Sequence, residues 1–195
     1  MLKIILASKS KVRKEILNNN GIQCSVIPSN INEEIIKDSL IKENTTPAVI
    51  SKNLAELKAN KVSLNQPDEI VIGADSVIDL DGKIISKPSD RETALHILKK
   101  LNNKTHYLIS SVCISRNGKM VWNYSDKARL KMKNFSVEDL IKYLNKITDK
   151  NLYAYNVYQI EGEGKFLFSH IDGDKDTIMG LPVRQIKEYL NGLDN

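Results

Sequence analysis

The sequence predicts a mixed α/β fold, with helices packed on one sizeable sheet that includes hairpins. Short apolar runs of strand composition alternate with segments whose apolar residues recur at helical spacing. Asp81-Gly82 and Asn117-Gly118 separate adjoining strand segments. Such dipeptides favour the positive φ of tight hairpin turns, so the sheet is not strictly alternating and parallel. With 195 residues, 41% of them hydrophobic, the chain can bury a core as one large domain (1–195) or a compact pair of lobes.

The elements follow in order. Lys3–Ala7 reads as a buried strand. Lys11–Asn20 reads as a helix with Val12, Ile16 and Leu17 on one side, stopped by Gly21. Gln23–Ile27 is a second strand, followed by an acidic loop at Asn32-Glu33-Glu34. Thr46-Pro47 opens a helix carrying Val49, Ile50, Leu54, Leu57 and Val62 at core spacing. Glu69–Gly73 is a short apolar strand, and Ser76–Leu80 pairs with Lys83–Ile85 across Asp81-Gly82. Ser89 to Glu92 has the pattern of a capping box before Ala94, Leu95, Leu98 and Leu101. Tyr107–Ser115 turns at Asn117-Gly118 into Met120–Tyr124. Lys127–Lys133 alternates basic and apolar residues with the period of a half-buried strand, read as an edge strand whose lysines discourage further pairing. Ser136 caps a helix containing Leu140, Ile141 and Leu144; Lys165–Ile171 is a strand and Pro182–Leu190 a final helix.

The charge pattern argues against a general nucleic-acid binder. The chain has 29 basic and 24 acidic residues, a formal +5, but 24 of the basic residues are lysines. Residues 1–21 hold Lys3, Lys9, Lys11, Arg13 and Lys14 against Glu15 alone, so most of the excess sits in one segment. No aromatic cluster of the kind that stacks bases is evident. The first apolar run is too short for a signal peptide or a span, so a cytoplasmic protein is expected. Cys24 and Cys113, without metal or redox spacing, read as two buried free thiols. His96, His106 and His170 are scattered and read as solvated or packed. There is no GxxxxGK[ST], GxGxxG, HExxH or GxSxG motif.

Two segments stand out for chemistry. In Leu6-Ala7-Ser8-Lys9-Ser10-Lys11-Val12-Arg13 a strand runs through small hydroxyl residues into a basic helix start. Unpaired N–H groups and the helix dipole there, with Ser8, Ser10 and Arg13, would make a phosphate cradle; the alternative is a plain serine cap among solvated lysines. In Val71-Ile72-Gly73-Ala74-Asp75-Ser76-Val77 an aspartate follows an apolar strand, with small residues leaving room beside the backbone. It reads either as a ligand for metal or substrate or as a turn residue. Weaker candidates are the acid pair Glu33-Glu34, Lys87 before Pro88, and Lys58, for which surface exposure is the default reading.

Taken together and in order, these segments resemble the Maf family of nucleoside triphosphate pyrophosphatases. The resemblance runs from Ile5 to about Leu190. It rests on Leu6–Leu17, Glu33-Glu34, Leu54-Ala-Glu-Leu-Lys58-Ala59, Gly73-Ala-Asp75-Ser-Val77, Ser86-Lys87-Pro88, Tyr158-Gln-Ile-Glu161-Gly162 and Gly173–Pro182. It implies an inosine-triphosphatase-like fold, with a mixed twisted sheet flanked by helices and two lobes with a central cleft. The implied activity is metal-dependent hydrolysis between the α- and β-phosphates, giving a nucleoside monophosphate and pyrophosphate; clearance of non-canonical or modified nucleotides is a role that goes with it. Asp75 falls on the acid–base position, Glu33, Lys58 and Lys87 on further functional positions, and Ser8, Ser10 and Arg13 on the phosphate segment. Mg²⁺ or Mn²⁺ at Asp75 and Glu33, a homodimer, and no stable nucleic-acid partner are implied as well. Three positions associated with base choice hold Val12, Ser76 and Glu161, where one branch has Arg, Thr and Gln. Glu161 is similar to the branch acting on 7-methyl-GTP, which carries Trp and Gln at the other two positions. Matching neither branch, they leave the nucleobase open. The family's Asp-Lys-Ala-Gly-Ala stretch is replaced by Tyr153-Ala154-Tyr155-Asn156-Val157. The alternative function is a non-catalytic nucleotide- or nucleic-acid-binding regulator of cell division.

Overall fold

A computed structural model of the chain describes residues 3–193, with residues 153–155 described in their backbone only. The fold is mixed α/β, as expected. Strands β1 (Ile4–Leu6), β2 (Ser25–Val26), β3 (Ile70–Leu80), β4 (Lys83–Ile85), β5 (Thr105–Arg116), β6 (Lys119–Met132) and β7 (Phe168–Asp172) follow the order β2-β1-β3-β5-β6-β7, with β4 paired to β3. The helices are α1 (Lys11–Asn19), α2 (Glu33–Lys42), α3 (Pro47–Ser63), α4 (Arg91–Leu101), α5 (Val137–Asn145), α6 (Asp149–Tyr155), α7 (Lys175–Ile178) and α8 (Val183–Leu193). β1 pairs in parallel with β2 and β3, in the register Leu6 opposite Ile72, whereas β4 and β7 pair antiparallel with β3 and β6.

The chain divides into two compact units. The first runs through Val77, takes in Ile109–Lys127 and resumes at Asp174; the second comprises Ile78–Leu108 and Ala128–Gly173. In the first, β3 presents alternate residues to opposite faces, as the strand pleat requires. Ile70, Ile72 and Ala74 join Leu6, Ile16, Leu17 and Ile186 in one core cluster, and Val71 joins Ile5, Ala7 and Val62 in another. In the second, Arg91 at the start of α4 donates to the carbonyls of Leu144 (2.9 Å) and Ile147 (2.7 Å), tying that helix to the C-terminal end of α5.

Several expectations are corrected. The two strand segments on either side of Gly73-Ala74 are one strand, so Asp75 lies within β3 and not in a turn after it. Gly73 serves another purpose: a Cβ there would fall on the Ala55 carbonyl oxygen and lie 2.6 Å from the Ala59 nitrogen, so the missing side chain lets α3 rest on the strand. Met120–Tyr124 and Lys127–Lys133 also form one strand, β6, and its basic half is no edge, because β7 pairs with residues 129–132. Its alternation survives: Ala128, Leu130 and Met132 are buried while Lys127 and Arg129 are exposed. The acidic loop is instead the first turn of α2, capped by Asn32, whose side chain accepts from the Ile35 N–H. This helix escapes a periodicity reading because none of its residues is fully buried. The cap of α4 is Asp90, not Ser89. A 3₁₀ turn, Glu163–Leu167, precedes β7.

Both tight turns adopt the backbone their residues favour, with φ of 54° and 78° at Asp81-Gly82 and 52° and 77° at Asn117-Gly118. Both cysteines are free thiols; Cys113 is buried, its pKa pushed up to about 11 by burial, whereas Cys24 is only half-buried. His96 and His170 are exposed. His106 is packed against Tyr158 and Phe168. Among the described residues no helix is long and apolar enough to cross a membrane.

Candidate active site

The site begins where β1 stops. The β1–β3 pairing closes with the Ala7 N–H on the Ile72 carbonyl, after which the chain leaves the sheet to start α1. β3 continues beyond that point, and two cations take its Ala74 carbonyl: Arg13 Nη1 donates at 3.0 Å and Lys58 Nζ at 3.5 Å. Ends of parallel strands, where backbone groups lose their sheet partners, are where α/β sheets place ligands.

Lys58 is the largest departure from the sequence reading. It is 5% exposed, on the buried face of α3 with Ile50, Ser51, Leu54, Ala55, Ala59 and Val62. Val49 and Leu57, expected in the core, are exposed. Helix α3 thus turns a face containing serines and a lysine inward, and its polar members hide the true phase of the helix from an apolar count. The Lys58 ammonium lies 2.8 Å from Asp75 Oδ1 and 3.0 Å from Glu33 Oε1. Asp75 is 4% exposed; its backbone carbonyl accepts from Ser51 Oγ at 3.2 Å, and its Oδ2 is buried with no hydrogen-bond partner among the described residues. Glu33, at the first position of α2, is more open, with 41% of its side chain accessible.

Arg13 lies in the first turn of α1, whose cap is Ser10; the Ser10 hydroxyl accepts from the Arg13 N–H at 3.3 Å. The guanidinium turns inward. Nε donates to the Gly180 carbonyl at 2.9 Å, Nη1 also reaches Ser8 Oγ at 3.4 Å, and Nη2 donates to Ser76 Oγ at 3.1 Å. All these acceptors are neutral, so the fork is oriented without being neutralised. Burial draws the Arg13 pKa below its usual value, and the charges of Asp75 and Glu33 act in the opposite direction.

The segment from Asp174 to Pro182 supplies a wall of this site. Asp174 caps α7 by accepting the Thr177 N–H at 3.0 Å, and Gly180, at φ 101°, takes a backbone conformation suited to glycine. A Cβ at Gly180 would lie 3.1 Å from Ser76 Oγ and 3.5 Å from Arg13 Nε.

The structure therefore brings Asp75, Glu33 and Lys58 together, and Ser8, Ser10, Arg13 and Ser76 together, in the first unit. Val12 packs partly against the apolar core. Lys87 and Glu161 belong to the second unit: Lys87 is exposed after β4, and Glu161 lines a cavity of about 480 Å³ with Tyr158, Gln159 and Phe166. The side chains of Tyr153, Ala154 and Tyr155 lie outside the described residues. Sequence reasoning missed Ser51 and Ser110, for which no local pattern gives a signal.

The donors fit a divalent cation that shares its shell with a ligand. Asp75 Oδ2 is a buried acceptor without a partner among the described residues, and Glu33 reaches the same ammonium. Among the described residues no group of three or more His, Cys, Asp or Glu side chains converges. A hard ion such as Mg²⁺ takes one or two carboxylates and completes its shell with waters and phosphates.

The family model described as Maf-like protein matches residues 3–193. A nucleoside triphosphate pyrophosphatase of Pelagibacter ubique (strain HTCC1062) is 69% identical over 187 residues, 96% of each chain. A 7-methyl-GTP pyrophosphatase of Brucella abortus biovar 1 (strain 9-941) is 38% identical over 182 residues, covering 93% of this chain and 92% of its own. Among solved structures, the Ham1 protein of Staphylococcus aureus superposes with a TM-score of 0.40 at 16% identity, covering 67% of this chain and 71% of that one.

Proposed function

Because the chain belongs to the Maf-like protein family, we propose that it hydrolyses nucleoside triphosphates at the α–β phosphoanhydride, releasing a nucleoside monophosphate and pyrophosphate. The observation that carries the reading is Asp75: a buried carboxylate, bonded on one oxygen to Lys58 and unpartnered among the described residues on the other.

The triphosphate occupies the turn between β1 and α1. Arg13 and the N–H groups of the first turn of α1 meet its charge, and Ser8 and Ser10 fix the turn. Lys58 holds Asp75 and Glu33 together and offsets their mutual repulsion. Asp75 Oδ2, the carboxylate oxygen without a partner among the described residues, serves in one of two ways: it takes the proton of the attacking water, or it ligates the cation with Glu33. Glu33 and Asp75 are the residues that would hold Mg²⁺ or Mn²⁺. Such a cation, when bound, draws charge from phosphate oxygens and acidifies coordinated water. The reading includes a cytoplasmic homodimer without a stable nucleic-acid partner.

A panel of canonical and modified triphosphates, 7-methyl-GTP included, assayed for pyrophosphate with Mg²⁺ or Mn²⁺ and with metal omitted, tests it. Pyrophosphate from at least one substrate, dependent on metal, is expected. No release from any substrate overturns the reading; release undiminished without metal overturns the cation.

A further inference from the structure

We propose that Ser110 and Ser76 are positioning residues for Arg13, and that Ser76 therefore has no proton to donate to the nucleobase. Proton supply sets the direction of each contact. Ser110 is fully buried, and its Oγ donates to the Thr177 carbonyl at 2.8 Å, an acceptor that has no proton to give. Its one hydroxyl proton is thereby used. Ser110 Oγ also lies 2.9 Å from Ser76 Oγ, so in that contact Ser76 must donate. The Ser76 proton is used in turn, and its oxygen lone pairs face Arg13 Nη2 at 3.1 Å. The chain Arg13→Ser76→Ser110→Thr177 has a single consistent direction, and every link polarises the next.

The chain also closes on itself. Thr177 and Gly180 belong to one short segment, capped by Asp174, and the Gly180 carbonyl binds Arg13 Nε directly at 2.9 Å. Thr177 Oγ1 donates to Asp126 Oδ2 at 2.9 Å, anchoring that segment to β6. Arg13 is thus gripped at Nε by the segment itself and at Nη2 through two serines rooted in the same segment. Its other acceptors are Ala74 and Ser8, so among the described residues no carboxylate bonds to it and its charge is left for an anion. A serine whose only proton is committed inward cannot donate to a base. Removing either hydroxyl loosens the guanidinium and weakens every polyphosphate alike.

The proposal rests on the triphosphate reading, and inorganic tripolyphosphate separates the two. Calorimetric binding of tripolyphosphate is measured for the unchanged chain and for Ser110→Ala, Ser76→Ala and Ser76→Thr; KM and kcat are measured for UTP, dTTP, GTP and 7-methyl-GTP. Loss of a hydrogen bond to a charged group gives about a tenfold weaker tripolyphosphate Kd in both alanine variants, with Ser76→Thr close to the unchanged chain. KM should rise by a similar factor for every nucleotide, with a smaller change in kcat. An unaltered tripolyphosphate Kd in Ser110→Ala, no tripolyphosphate binding by the unchanged chain, or a Ser76→Ala variant that reorders the nucleotides overturns the proposal. Tripolyphosphate binding that follows the expected order without turnover of any nucleotide supports the positioning role while overturning the hydrolytic reading.

Discussion

Lys58 Nζ donates to Asp75 Oδ1 across 2.8 Å, with both side chains almost wholly removed from solvent. Buried ions are tolerated only when paired, and here α3 delivers the cation to the middle of β3 because Gly73 lets the helix backbone approach. Cutting one partner leaves an uncompensated charge in a dry site. Lys58→Met should lower stability by about 3–5 kcal/mol in urea titrations. Adding Asp75→Asn should restore much of that loss. A single variant as stable as the unchanged chain would show that the pair is not buried in solution.

Asp75→Asn keeps the shape and the contact with Lys58 but removes the carboxylate oxygen proposed for the reaction. Pyrophosphate release should fall by roughly 10²–10⁴, the usual range for loss of a general base. The circular dichroism spectrum should be unchanged. Retention of more than about a tenth of the activity would remove Asp75 from its role.

Gly73→Ala places a methyl group against the Ala55 carbonyl and the Ala59 nitrogen of α3. Backbone cannot yield as a side chain can, so the cost should be about 1–3 kcal/mol or more, visible as a lower thermal midpoint. Activity should fall as well, since a displaced α3 carries Lys58 away from Asp75. A variant with unchanged melting and turnover contradicts the close approach.

His106 supplies a pH dependence unrelated to catalysis. It is fully buried, its Nε2 lies 2.9 Å from the Tyr158 hydroxyl, and its Nδ1 has no partner among the described residues. Burial lowers its pKa from 6.5 to about 4. In this range the unfolded chain binds a proton that the folded chain refuses. The contribution is therefore fully present above pH 6.5 and is lost as pH falls towards 4, by about 3 kcal/mol at most. Urea midpoints followed from neutral pH down towards the folded-state pKa should drop more steeply for the unchanged chain than for His106→Phe; equal slopes would contradict this.

The parts legible in sequence were those set by neighbours along the chain. Asp81-Gly82 and Asn117-Gly118 turn where they should because their φ preference is local. Helix α1 stops before Gly21 for the same reason, and Ser136 caps α5 through its own third neighbour. The in-order motifs also single out Asp75, Glu33, Lys58 and Arg13 as candidates. Helix α2 was not legible, because a helix that buries no side chain fully shows little apolar stripe. No break occurs at Gly73-Ala74, because a glycine in a strand marks a close approach as readily as a turn.

By itself, then, the sequence determined most of the elements, the tight turns and the inventory of charged and hydroxyl groups. Only the tertiary structure decided which of those groups meet. Asp75 and Ser76 are neighbours in the chain, yet the pleat of β3 sends one to Lys58 on α3 and the other to Arg13 on α1. Ser110 lies 34 residues beyond Ser76, and Thr177 a further 67 beyond Ser110. No local preference links positions so far apart. They meet because the sheet order sets β5 beside β3, and strand pairing is decided by burial across the whole chain.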